Sequence, residues 1–409
     1  MSANVAPLRR TRRFGFPAPD ASPEAHEQFR FRVLVAIALL KLGNLFGGIW
    51  DIQWHVAIGR DSLWIPPHLL VLAAFASGLG LVITALVHET RLARSGVHLE
   101  GTTRLGPIYA PPALFGVFLG FVGALLSGGF DELWHEIFGI DVTLWSPPHL
   151  AIMLCTMIVD YSLLMGLAAS AARMGWKFEP RRAFFWAFIL VGAYTFEAVN
   201  FQMAQAFIVS FHAQGAGLIG LLFPILVGSL FPMSLLLILG LSRRFWIAVP
   251  IFLLTLVLEY IGVGLAAAGF AILKPVSVVE DFVRANPEST IALARQFART
   301  IGFGGLIGFE QAWTMMLSGV PLGLVSLLEL WTWAKRRLWV AAPVYGAGLV
   351  LTSYVWFQLI PTLRGYRIAW YDVALGVAIA ALAGLLFGTI GLWLARLGSE
   401  DAAHRAQAS

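Results

Sequence analysis

The chain has 409 residues, 58% of them hydrophobic and 12% charged, with a formal net charge of +5. Soluble domains carry about 45–50% apolar and about 25% charged residues, so a soluble enzyme, a disordered chain and a nucleic-acid-binding protein are excluded. The basic residues sit in short clusters between apolar runs, where they act as topology signals. Cys155 is the only cysteine, which excludes an internal disulfide and a thiolate metal cage.

Residues 1–30 read as a polar cytoplasmic tail containing Arg9, Arg10, Arg12 and Arg13. No small-residue cleavage site follows the first apolar run, so a retained anchor is expected rather than a cleaved leader. From there the apolar stretches predict an all-α fold, a polytopic transmembrane bundle of about ten helices of about 20 residues each. They lie near 32–57, 66–88, 107–134, 147–172, 183–208, 215–241, 245–270, 302–333, 339–360 and 370–396. Residues 31–175 thus carry four spans arranged as tandem hairpins, residues 176–396 a further six-helix bundle, and residues 397–409 a second cytoplasmic tail.

The connections at Arg91/Arg94/Arg104, Arg173/Lys177/Arg181/Arg182, Arg243/Arg244 and Lys335/Arg336/Arg337 are strongly basic. They alternate with connections near 58–65, 136–146 and 209–214 that carry almost no Lys or Arg. By the positive-inside rule both termini and the basic loops are cytoplasmic, in the inner or plasma membrane of the cell. The connection 271–301 falls outside. Its stretch Ser289–Thr300 sets Ile291, Leu293 and Phe297 against Arg295 and Arg299, which predicts a helix lying on the membrane surface.

An internal repeat is the most informative feature. Residues 51–69 read DIQWHVAIGRDSLWIPPHL and residues 131–150 read DELWHEIFGIDVTLWSPPHL, sharing D-x-x-W-H-x-x-x-G-x-D, then Trp, then PPHL. Asp51 and His55 are four apart and share one helix face, about 5–6 Å apart at Cβ. Gly59 and Asp61 break the helix, and Pro66 and Pro67 suit the first turn of the next one. His68 then faces back across the hairpin. The same logic joins Asp131, His135 and His149, with Ser146 as the N-cap before Pro147. Each hairpin can offer two nitrogens and one oxygen to one metal ion at the outer interface. A single D-x-x-x-H is more often a helix-end ion pair, but two copies with a returning histidine in each point to a site, because polar groups at this depth are costly.

Asp61 and Asp141 are placed to accept the second N–H of a ligating histidine or simply to solvate the loop. Trp54, Trp134, Trp64 and Trp145 read as interfacial anchors. Asn44, seven before Asp51, faces the same way but deeper. Lys41 is deeper still and needs a carboxylate partner, with Asp160 as the candidate. Glu197, Asn200, Glu259 and Glu310 either line a polar cavity near the hairpins or make interhelical hydrogen bonds. His212, near the outer end of the fifth span, is left as a spare ligand. Imidazole with carboxylate suits copper(II), zinc or non-haem iron, whereas handling of copper(I) favours Met and Cys. With one Cys and nine scattered Met, copper transport is disfavoured.

The two copies resemble the C subunit of the copper membrane monooxygenases, over about residues 30–175. That family places an Asp-x3-His pair on one helix and a His thirteen positions on, as in Asp51, His55 and His68. Its second site uses Asn-x3-His and a His fourteen positions on, the spacing of Asp131, His135 and His149, with Asp here in place of Asn. The resemblance implies a copper-binding membrane oxidoreductase that holds one or two copper ions and oxidises a small apolar substrate with O₂. The six downstream helices exceed what that subunit supplies. The expected partners are the lipid bilayer and either other membrane subunits or a second copy of the chain. Two other readings stay open, a non-catalytic metal-binding subunit or chaperone and a polytopic transporter. Zinc and iron stay open as the metal.

Overall fold

The structure, a computed structural model, describes residues 15–58, 63–138, 146–180, 182–212, 221–277, 279–289, 292, 309–359 and 369–403, without the side chains of 56, 201–212, 309–317, 356–359 and 399–403. The long helices are α1 (Pro23–Ala57), α2 (Pro66–Arg94), α3 (Pro112–Phe138), α4 (Pro147–Arg173), α5 (Ala183–His212), α6 (Leu222–Ser242) and α7 (Ala248–Leu273). After the short α8 (Glu280–Ala285) come α9 (Phe309–Leu327), α10 (Ala341–Leu359) and α11 (Trp370–Ala403). Among the described residues, nine helices are long and apolar enough to cross a membrane, namely α1–α7, α10 and α11. This is a multi-pass membrane protein. The span expected near 302–333 begins outside the described residues, and its described part is α9. Most of the surface helix expected at Ser289–Thr300 also lies outside them.

Two elements differ from the sequence reading. The first helix starts at Pro23, well inside the stretch read as a polar tail, because Ser22 caps it through a hydrogen bond from the Ala25 N–H at 3.2 Å and Pro23 opens its first turn. The connection after α2 holds a small antiparallel hairpin, β1 (Thr103–Leu105) with β2 (Ile108–Ala110), turning at Gly106 with φ +57°. Left-handed backbone at that point favours glycine.

Polar residues in the early part of α1 are buried because they pair. Arg30 donates to both Glu89 oxygens at 2.8 and 2.7 Å, to Glu27 at 3.0 Å and to the Glu100 carbonyl at 2.6 Å. Glu27 also accepts from Arg173 and Ser170. One buried network therefore ties α1, α2, α4 and the hairpin connection together at one end of the bundle. Above it the core is apolar, with Leu163, Leu164 and Leu167 of α4 wholly buried.

At the opposite end the hairpins are drawn tight by close backbone approach. A Cβ on Gly47 of α1 would lie 3.1 Å from the Pro67 carbonyl oxygen of α2. A Cβ on Gly120 of α3 would lie 2.8 Å from the Cys155 carbonyl oxygen of α4. Small residues at such crossings let helix backbones meet. The α1 helix also packs on α4, α5 and α7.

Candidate metal centre

Asp51 and His55 end α1, and His68 opens α2. His68 Nε2 lies 2.9 Å and His55 Nδ1 3.3 Å from Asp51 Oδ1. In the second hairpin, His135 Nε2 and His149 Nε2 lie 3.3 and 3.6 Å from Asp131 Oδ1. Within each triad one ligand atom from every residue lies within 4.8 Å of the others. Donors about 2.0–2.1 Å from a tetrahedral ion are about 3.3 Å apart. The His68, His135 and His149 Nε2 atoms stand near that separation from their aspartate oxygen, so each triad is compact enough to converge on one ion. All six side chains are largely buried, the most open being Asp51 at 19% exposure.

Local chain geometry orients the rings. The α-helical step of four brings His55 back over Asp51, and His55 Nδ1 lies 2.8 Å from the Asp51 carbonyl oxygen. Holding that nitrogen as an N–H leaves Nε2 as the lone-pair donor. Ser146 occupies the N-cap position of α4, as the sequence indicates, yet makes no capping hydrogen bond. Its Oγ lies 2.8 Å from His149 Nδ1 instead. Ser146 thus holds the ring of His149, a role the Asp61 and Asp141 reading reserved for a carboxylate. Those two aspartates lie outside the described residues, as does Trp145.

The triads are neighbours. The rings of His55 and His135 are 6.5 Å apart between centroids, about as close as the two rings within each triad, at 6.0 Å. No spacing within either hairpin reports this, since it depends on how α2 packs on α3 and α1 on α4.

Trp54 packs inside the protein. It is buried and stacked on Phe270 of α7 at 5.9 Å, whereas Trp64 is exposed. Trp134 packs on Phe138 with ring centroids 4.3 Å apart. Lys41 pairs with Asp160 in the buried interior. Asn44 and Glu197 line a cavity of about 130 Å³ that also reaches Lys41, Asp160 and Tyr194. Glu259 of α7 lies against Glu197. Asn200, one turn further along α5, is buried but is not among the cavity's lining residues. The side chains of Glu310 and His212 are outside the described set. Tyr194 is among the cavity residues the sequence did not single out, because nothing in its spacing distinguishes it from a core aromatic.

Compared with protein-family models, curated proteins and solved structures, the chain matches none.

Proposed function

We infer that the paired triads are the metal centre of a membrane oxidoreductase, similar to the C subunit of the copper membrane monooxygenases, acting on a small apolar substrate with O₂. The observation that carries this reading is the pair of Asp–His–His sets, four imidazoles and two carboxylates, held 6.5 Å apart at the nearest rings between them. Asp51, His55 and His68 hold one ion, and Asp131, His135 and His149 the other. Imidazole with carboxylate accepts copper, zinc or iron, and copper is chosen on the resemblance of the spacings. Copper in such a site supplies one-electron exchange with O₂.

The chain's own residues do the rest. Asp51 and Asp131 offset the charge of the cations, His55 and His149 are turned by the Asp51 carbonyl and Ser146, and Trp54 with Phe270 keeps water from one side. In this reading ten helices span the cell membrane, both termini are cytoplasmic and the triads face the outer side. The bilayer then delivers the apolar substrate, and partner subunits or a second copy deliver electrons.

Metal analysis with electron paramagnetic resonance on purified protein tests it. Copper(II) with nitrogen couplings, one ion per triad, is the expected result. Zinc alone would overturn the redox reading, and no bound metal would overturn both. A second reading, a metal that only staples the fold, is favoured by each triad drawing ligands from two helices. Loss of assembly along with metal in His55→Ala would select it.

A further inference from the structure

Lys41, Asn44 and Gly48 follow one another along the face of α1 that carries Asp51 and His55, at steps of three and four residues. At about 1.5 Å of rise per residue, Gly48 lies about 4.5 Å and Asn44 about 10 Å deeper than Asp51. All three line the cavity of about 130 Å³ between α1, α4 and α5. Met153, one helical turn from His149 on α4, lines it as well. The cavity therefore comes within about one helical turn of Asp51 along α1 and of His149 along α4, with no triad side chain among its lining residues.

Its walls are mostly apolar, with the charged side chains of Lys41, Asp160 and Glu197 set into them. Lys41 pairs with Asp160 and lies 5.7 Å from the centre of the Tyr194 ring, while the Tyr194 hydroxyl donates to the Ala38 carbonyl at 2.9 Å. Glu197 projects into the cavity, 6% exposed, and Glu259 behind it is wholly buried. Glu197 Oε2 and both Glu259 oxygens receive no hydrogen bond from a protein donor. Two facing carboxylates in a low-dielectric interior, with three of their four oxygens lacking a donor, do not both ionise, so the pair holds a proton between them. Among the described residues, the titratable and charged groups that share the cavity with Glu197 are Lys41, Asp160 and Tyr194. The cation among them is already matched by Asp160.

The cavity extends toward the triads as far as Gly48 and Met153, whereas the other direction is packed shut. Between Arg30 and Lys41, about 16 Å along α1, the buried residues are Phe31, Val33, Leu34, Ile37 and Ala38. Wholly buried Leu163, Leu164 and Leu167 face them from α4. That packing has no room for a water chain.

We propose that the Glu197–Glu259 carboxyl pair is an intramembrane proton store that exchanges its proton through this cavity with the triad end of the bundle. The O–H bond of the shared carboxyl breaks, the proton passes to cavity water and on toward the triads, and a proton from solvent at that end restores the pair. Its use rests on the metal-centre reading, since a proton store beside the triads serves to balance electrons arriving there. Its existence does not rest on that reading.

Infrared spectroscopy of the metal-free protein tests it. A protonated carboxyl C=O band should be present and should shift on transfer to D₂O. Glu259→Gln should remove it, and Glu259→Asp should retain a displaced band. Gly48→Leu fills the cavity without collision, because a Cβ there meets nothing within 4 Å. That variant should keep the band but slow its exchange at least about tenfold, a barrier rise of about 1.4 kcal/mol. A band that survives Glu259→Gln, or exchange in Gly48→Leu as fast as in the parent, overturns the proposal. Copper loading followed by ascorbate reduction separates the two ideas. A band that exchanges as stated but ignores reduction removes the redox link and leaves the proton store standing.

Discussion

The imidazoles of His55 and His135, eighty residues apart in the chain, lie with ring centroids 6.5 Å apart and an interplanar angle of 36°. Each belongs to a different helical hairpin and a different triad, so ions held by both triads would be close neighbours. Full copper(II) loading should then broaden or diminish the paramagnetic signal by mutual coupling. His55→Ala should leave a sharper, isolated signal from the second triad. Two independent signals at full loading would show the ions to be apart.

Ligand removal should separate metal binding from folding. His55→Ala or His135→Ala should lose the ion of its own triad while the helices stay assembled, since the bundle is held by apolar packing and close helix crossings. Asp131→Asn keeps a neutral oxygen in place and should retain metal with altered affinity. Equilibrium dialysis with size-exclusion chromatography reads both effects. Unchanged metal content in the histidine variants would make the triads ion pairs.

Ser146→Ala tests ring orientation. Losing the 2.8 Å contact to His149 Nδ1 frees the ring to turn, and removal of such an outer partner lowers metal affinity about 10–100-fold. Helix α4 should be unaffected, because the Ser146 side chain makes no capping bond. A drop in thermal stability without a change in affinity would instead mark Ser146 as a cap.

Lys41→Met or Asp160→Leu alone leaves one buried charge without its partner, which costs about 3–5 kcal/mol. The double change Lys41→Met/Asp160→Leu should recover most of that loss, because well-packed apolar replacements of buried ion pairs are often neutral. Denaturation of the four proteins in detergent provides the cycle. Additive losses would argue that the two side chains act independently.

Gly47→Val should part the first hairpin. The added atoms meet the Pro67 carbonyl oxygen, 3.1 Å from an ideal Cβ, and the Val71 side chain. Moving α1 away from α2 separates Asp51 from His68, so the first triad should lose metal while the second keeps it. Equal loss from both triads would show that the hairpins do not bind separately.

The membrane orientation is open to labelling. On a Cys155→Ser background, cysteines placed at Gly59 and Gly139 should react with an impermeant reagent from outside intact cells. One at Arg243 should react only after permeabilisation. The reverse pattern would invert the proposed topology.

Much of the architecture was legible because it follows from local rules. Long apolar runs must be helical in a bilayer, since only helices satisfy their backbone internally there. Pro66 and Pro147 mark helix starts by removing an N–H that has no partner in the first turn. A lysine at the depth of Lys41 demands a counter-charge, and Asp160 supplies it. Residues 23–30 misled because Glu27 and Arg30 look like a solvated tail. Their burial depends on Glu89 and Arg173, which are distant in sequence.

The sequence by itself determined the helical membrane class and which residues can reach one another within a hairpin, because a spacing of four on one helix and a proline-led return are short-range geometry. Only the tertiary structure decided that His55 stands beside His135 and that Glu197 meets Glu259 inside the bundle. Those relationships depend on the rotation and crossing of helices from different parts of the chain. Small residues such as Gly47 and Gly120 and the buried Arg30 network set that packing collectively, and no single spacing records it.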